Sequence, residues 1–477
     1  MLFDSPAYFI FLLPVVLIYW RLDRRQQNVF LLLASYFFYG WWDWRFLALM
    51  IGSTTIDFLI AHKVTPSRED TNRKKWLTFS LVLNFSILGI FKYFNFFADS
   101  FSATLNTLGI HNIPLPLLRI ILPPGISFYT FQEVAYIVDV YKGRLEPVKS
   151  FVEYGLFVSL FPHLIAGPIQ RPGHLLPQVQ KDRAFDADRF FDGLMLIFSG
   201  LVRKCVVADN CALLANAAFG GQFGKPNFWV ILIGTYAFAW QVYGDFSGYS
   251  DIARGSAQLM GFHFMVNFRQ PYLALRLQDF WRRWHISLST WLRDYLYIPL
   301  GGSAGGAWKT SRNLLATMVL AGLWHGANWT FVIFGAIHGV VLSVERLLFP
   351  IARNASDASR PGAFAGFVSL WGQRILTFNV FCLSLAFFRA PSLSAATQFL
   401  SGLSNFAWQS EYASVFFMLS LFSIPLFVVD LLLEASNQEY PFANASYALR
   451  TAFASVALVV LALFSGNTFH AFVYFRF

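Results

Sequence analysis

The sequence predicts an all-α polytopic membrane protein, on three observations. Of its 477 residues, 56% are hydrophobic and 13% charged, against about 25% charged in a soluble domain. The apolar residues gather into long runs such as Val29–Ala61, Asn313–Phe349 and Val415–Leu433. The basic residues gather between the runs. Helices follow because lipid offers no partner to an open backbone.

Ala7–Trp20 comes first, and only Asp4 charges the residues before it, so no cleaved signal peptide is expected. A basic loop follows with Arg21, Arg24 and Arg25, then Val29–Ala61, with a poorly charged turn near Gly40–Trp44. Lys63, Arg68, Arg73, Lys74 and Lys75 make the next basic loop. Leu77–Phe97 leads to an external loop expected over Ala98–Asn112, then Leu117–Val138 leads to a third basic loop at Lys142, Arg144 and Lys149. Arg171, Lys181, Arg183 and Arg189 form a fourth. Basic loops lie on both sides of Phe151–Ala166, so that run should dip in and return. Pro162 and Gly167-Pro168 suit such a break. With Phe190–Leu201, Phe228–Val242, Leu370–Phe388 and Thr451–Phe464, the chain has about 10–14 membrane segments.

The net charge of +10 would suggest nucleic acid for a soluble domain. The positive-inside rule accounts for it without nucleic acid, and puts the N-terminus outside and the basic loops inside. Cys205, Cys211 and Cys382 lack metal-ligand spacing, and no metal is expected. Residues 1–477 read as one integral membrane domain without a soluble appendage, and no internal repeat supports an inverted-repeat transporter.

Four motifs place polar residues among apolar ones. His325, in Leu323-Trp324-His325-Gly326-Ala327-Asn328, interrupts Asn313–Phe349. An ionisable residue at membrane depth is a functional candidate. The leg Asn313–His325 reaches roughly 20 Å, short of about 30 Å of hydrocarbon. Both flanks are basic (Lys309 and Arg312, then Arg346, Arg353 and Arg360), so the stretch reads as a hairpin with its apex at Trp324–Asn328. Gly326 and Ala327 leave room beside the ring, Trp324 and Trp329 wall it, and Asn328 is a polar neighbour. A lone histidine on an apolar helix is commonly a packing residue, and His338 is read so.

The second motif, Asp245-Phe246-Ser247-Gly248-Tyr249-Ser250-Asp251, looks like a turn whose acids line a cavity. Alternatively Asp245 and Asp251 cap helices and pair with arginines such as Arg254, which is the favoured reading. In the third, Phe280–Gly302, Trp281, Trp284, Leu288 and Trp291 or Leu292 form one aromatic stripe, with Arg282, Arg283, Arg293 and Asp294 off it. It reads as a basic interfacial helix; functionally, its arginines would guide an anionic acyl donor, with His285 facing the centre. The fourth, Pro123–Glu133, breaks a helix. Ser127 and Thr130 read as glue between helices, and Glu133 stays open.

Together with Phe161–Ile169, these motifs, in this order, resemble the membrane-bound O-acyltransferase (MBOAT) family, in its bacterial polysaccharide, alginate-type branch. His163 and Gly244 depart from the family pattern. The resemblance implies a ring of tilted transmembrane and re-entrant helices around a central tunnel, with His325 the essential histidine and His285 a supporting one. It implies a multi-pass protein of the bacterial inner membrane that moves an acetyl group, with acetyl-CoA as the natural donor and no bound cofactor. The acceptor is an exopolysaccharide, reached directly or through an extracytoplasmic acyltransferase or acceptor protein. The tail Phe469–Phe477 is a candidate docking element for that partner. His285, Asn328 or tryptophan N–H groups would stabilise the oxyanion, and Ser247 and Tyr249 belong to the tunnel lining. The alternatives are a teichoic acid D-alanyl transferase, a transporter with a histidine proton relay and a scaffold for external partners.

Overall fold

The computed structural model describes residues 1–66, 72–110, 120–165, 167–349, 363–441 and 445–465. Among these, every regular element is helical. Arg68, Arg353, Arg360 and the tail 469–477 lie outside the described residues. Two compact units result: Met1–Ile197 with Ile252–Met265, and Phe198–Asp251 with Val266–Phe477.

The first unit begins with α1 (Pro6–Tyr19), α2 (Arg24–Gly40) and α3 (Trp44–Val64). Polar caps start each: Ser5, the Asp23–Gln26 capping box, and Asp43, which accepts from Arg45 N. Trp41, Trp42 and Trp44 stand exposed at the α2–α3 corner, where an aromatic membrane belt belongs. Next comes α4 (Arg73–Thr107). The loop expected over Ala98–Asn112 is therefore helical to Thr107; Phe96, Phe97 and Phe101 extend the apolar pattern through the polar residues there.

Then come α5 (Ile126–Tyr141), α6 (Phe151–Ser159), α7 (Phe161–Leu164), α8 (Pro172–Gln180) and α9 (Ala187–Leu201). The run expected to dip and return is broken at Leu160, and α6, at about 13 Å, is too short to cross. Gly125 starts α5 at φ +73°, where a Cβ would overlap the Leu164 carbonyl. Gln132 meets His163 Nδ1 at 3.0 Å, so the histidine that departs from the family pattern ties α5 to α7. Glu133 accepts from Ser53 (3.1 Å) and Thr54 (2.8 Å) on α3. Asp57, also on α3, accepts from Ser80 (2.5 Å) and Asn84 (2.7 Å) on α4. Glu133 thus joins helices, as hydroxyls and carboxylates do in lipid.

In the second unit, a wide π-helical segment, Val202–Ala208, leads into α10 (Asp209–Phe219) and α11 (Phe228–Leu259). Then follow α12 (Leu277–Arg283), α13 (Ile286–Leu292), α14 (Gly306–His325), α15 (Trp329–Leu348), α16 (Ala363–Arg389), α17 (Leu393–Leu400), α18 (Glu411–Ser436) and α19 (Tyr447–Phe464). Among the described residues, six helices are long and apolar enough to span: α3, α4, α15, α16, α18 and α19. The remaining described apolar runs form shorter or more polar helices.

The hairpin expected around His325 is present as α14 and α15. Its first leg is longer than its apolar part, because α14 starts at Gly306 and takes in Lys309 and Arg312. At about 30 Å it is long enough to cross, so leg length does not by itself require the hairpin. Packing does: a Cβ on Gly322 would overlap the Phe331 carbonyl, and one on Gly335 the Met318 carbonyl. Gly335→Leu should therefore overpack the hairpin by about 1–3 kcal/mol and lower the thermal midpoint in detergent. Gly372→Ala, where no atom lies within 4 Å of the new Cβ, should leave it near wild type. Equal midpoints would refute the close-packed hairpin.

Candidate active site

His325 is the last residue of α14 and 4% exposed. Gly326 is extended, and Asn328 caps α15 by accepting from Thr330 N at 3.0 Å. The other end of the Asn328 amide donates to the Pro391 carbonyl at 3.2 Å. Asn328 therefore builds the corner with both ends of its side chain. Trp324 and His325 have centroids 4.9 Å apart, and Phe388 (5.4 Å) and Phe334 (6.2 Å) complete the cage. The space beside Gly326 is filled: a Cβ there would overlap the Phe331 ring. Trp329 is 54% exposed.

His285 joins this cage from the third motif. That motif is not one helix. It breaks between Arg283 and Ile286, with His285 at φ +43°. The aromatic stripe read across it folds back, so Trp284 packs on Phe280 and Phe381. His285 is fully buried, 4.6 Å from Phe246 and 5.8 Å from Trp324 by ring centroids. Its Nδ1 lies 3.1 Å from Asn267 Oδ1. That oxygen also accepts from Ser287 N (3.3 Å) and Ser287 Oγ (2.9 Å), while Asn267 Nδ2 donates to Ser250 Oγ at 3.1 Å. Asn267 lies between the motifs, and its signal in the sequence is a single polar residue within the apolar stretch Phe264-Met265-Val266-Asn267-Phe268.

The second motif is not a turn. It lies inside α11, where Gly244 and Gly248, one helical turn apart, let the π-helical segment approach. A Cβ on Gly244 would meet the Arg203 carbonyl at 2.8 Å, and one on Gly248 the Gly200 carbonyl at 2.6 Å. A larger residue at 244 has no room here. Lys204 reaches Asp209 (2.7 Å) and Asp245 (2.9 Å), and Arg203 reaches Asp251 (3.7 Å). The favoured reading of paired acids holds in kind, with Lys204 and Arg203 as partners and no cap. Lys204 also lies over Tyr249. Ser247 is buried with its hydroxyl unpartnered.

The arginines do not converge on the histidines. Arg282 is exposed on the last turn of α12, and Arg293, 59% exposed in its side chain, pairs with its neighbour Asp294 at 2.7 Å. Trp281 donates to His338 Nδ1 at 3.3 Å, and His338 Nε2 meets Ser384 Oγ at 3.0 Å. With both nitrogens engaged, His338 has the structural role expected of it.

The geometry brings together two buried histidines from motifs forty residues apart, around one tryptophan. Residues 146–386 match the membrane-bound O-acyltransferase family model. The chain is 41% identical to the probable alginate O-acetylase AlgI of Pseudomonas syringae pv. tomato, over 86% of this chain and 76% of that one. It is 36% identical to the peptidoglycan O-acetyltransferase of Helicobacter pylori, over 84% and 80%. With the teichoic acid D-alanyltransferase of Bacillus subtilis it shares 28% identity over 46% of this chain and 58% of that one. The protein belongs to the membrane-bound O-acyltransferase family. It is a multi-pass membrane enzyme, an O-acyltransferase, and the transporter reading is set aside.

The ion pairs under α11 make a stability prediction. Lys204→Met takes the ammonium from Asp209 and Asp245, with side chains 13% and 2% exposed, and should cost about 3–5 kcal/mol. Adding Asp245→Leu should restore part of the loss. A single variant as heat-stable as wild type would show that the lysine is not needed to balance these acids.

Proposed function

We propose that the enzyme O-acetylates a polysaccharide outside the bacterial inner membrane, with acetyl-CoA as the cytoplasmic donor. The observation that carries this reading is the His285–Trp324–His325 cluster, in a chain 41% identical to a probable alginate O-acetylase over 412 residues. An acceptor oxygen bonds to the acetyl carbon, the carbon–sulfur bond breaks, and the hydroxyl proton goes to the departing thiolate. His325 serves as general base or acyl relay, roles that a histidine suits near neutral pH. His285 supports it, and Trp324 forms the wall between them. Asp245 and Asp251 act at a distance, by holding α11. The aligned length with acetyltransferases is nearly twice that with the D-alanyl enzyme, and it favours acetyl.

The acceptor is the sugar polymer itself or a partner protein that carries the acetyl group to it. A long polymer needs an external holding surface, and Phe469–Phe477 is the proposed dock. Deleting residues 469–477 should lower polymer acetylation in cells but spare donor hydrolysis; full acetylation by the truncated protein would rule the dock out.

Purified His325→Ala should insert and yield normally yet lose at least about 10²-fold in acetyl transfer, read by mass spectrometry of products formed with acetyl-CoA. Retained acetylation at normal yield would remove His325 from the chemistry.

The N-terminus is proposed to be extracytoplasmic and the loop from Lys63 to Lys75 cytoplasmic. Cysteines introduced at Ser67 and Asn467 should label from opposite faces of intact membranes. Labelling from one face would reverse the assignment.

A further inference from the structure

We infer that Asn267 is a positioning residue that fixes the proton of His285 on Nδ1 and leaves Nε2 as the proton-accepting nitrogen of the site. This rests on the role proposed above for His285.

The orientation of the Asn267 amide decides the matter. The Ser287 backbone N–H can only donate, and it meets Asn267 Oδ1 at 3.3 Å, so that atom is the oxygen. Ser287 Oγ at 2.9 Å also meets that oxygen, and Nδ2 at the other end donates to Ser250 on α11. An amide oxygen accepts and never donates. His285 Nδ1, 3.1 Å from it, must therefore carry hydrogen. A neutral imidazole has one N–H, so the lone pair is on Nε2. That nitrogen is buried and has no hydrogen-bond partner.

The backbone points the same way. A non-glycine residue at φ +43° persists only where its surroundings force it. Asn267 supplies that force with its main chain as well, its carbonyl accepting from Ile286 N at 2.9 Å. One residue thus grips both the ring and the bend that presents it. His338 is as deeply buried, but its Nδ1 lone pair accepts from Trp281 and its Nε2–H donates to Ser384, whose own O–H donates to the Phe381 carbonyl at 2.6 Å. His338 has no nitrogen left for chemistry, whereas His285 has one.

In the neutral ring Nε2 accepts and does not donate, so His285 takes up a proton rather than holding the oxyanion. With His325 as the acyl relay, its ring nitrogen takes the acetyl group as the carbon–sulfur bond breaks with its electron pair on sulfur. The acceptor oxygen then bonds to the acyl carbon, the carbon–nitrogen bond to His325 breaks, and the hydroxyl proton ends on His285 Nε2, from which the thiolate recovers it and returns the ring to its neutral state. In the charged interval both nitrogens carry hydrogen, and Asn267 Oδ1 still accepts from Nδ1.

The test compares Asn267→Leu, Asn267→Asp and His285→Ala in purified full-length protein, assayed with acetyl-CoA and a soluble glycan acceptor. Asn267→Leu should lower kcat on the order of 10- to 100-fold with KM nearly unchanged. Asn267→Asp keeps an acceptor oxygen at Nδ1 and adds negative charge, which favours the imidazolium. It should retain more activity than the leucine variant and move the acid limb of the kcat–pH profile to higher pH by about one unit. A residue that served packing alone would not move that limb. Wild-type kcat in Asn267→Leu, or an unshifted limb in Asn267→Asp, overturns the inference. If the leucine variant does not fold, the aspartate profile decides. Wild-type kcat in His285→Ala would instead sink the proposed role of His285.

Discussion

A polar atom at hydrocarbon depth has no water to turn to, and this requirement shapes both units. In the first, Glu133 and Asp57 are met by four neutral side chains on α3 and α4. In the second, two acids on α11 are met by two consecutive bases. From the π-helical segment Val202–Ala208, Arg203 and Lys204 both reach acids of α11, while Gly244 and Gly248 lack the side chains that would hold that segment off. The local irregularity and the glycines are two halves of one arrangement.

Features that depend on neighbours in sequence were legible. The hairpin corner at Trp324–Asn328, the broken run after Phe151 and the α2–α3 turn all carry proline, glycine or polar residues at the break, and each lies where the pattern put it. Features that depend on distant partners were misread. Asp-Phe-Ser-Gly-Tyr-Ser-Asp has the composition of a turn, yet it stays helical because Lys204 and Arg203 neutralise its acids within the fold. Trp281, Trp284 and Trp291 have helical spacing, yet the chain breaks at His285, where Asn267 offers the backbone and ring other partners. In both cases tertiary contacts override a local pattern, and neither Lys204 nor Asn267 is close in sequence to the motif it governs.

The candidate site was legible in its members more than in its assembly. His325 and His285 stood out as ionisable residues among apolar ones, and the fold places them on either side of Trp324. Asn328 and the arginines looked like polar partners because they are near in sequence. The first is used up by the corner it caps, and Arg282 and Arg293 lie on exposed turns.

Burial alone does not distinguish the histidines of this unit, since His285, His325 and His338 are all nearly inaccessible. What distinguishes His285 from His338 is the direction of the hydrogen bonds around each ring. Trp281 and Ser384 close His338 from both sides and fix it as part of the α12–α15–α16 packing. Asn267 closes one side of His285 alone. The other side lies among aromatic rings, where Trp324 packs near both His285 and His325. The order Trp-His in the hairpin corner therefore has a physical use. The tryptophan at the end of α14 packs against the histidine of the α12–α13 bend, so the chain that delivers His325 also sets its distance from His285.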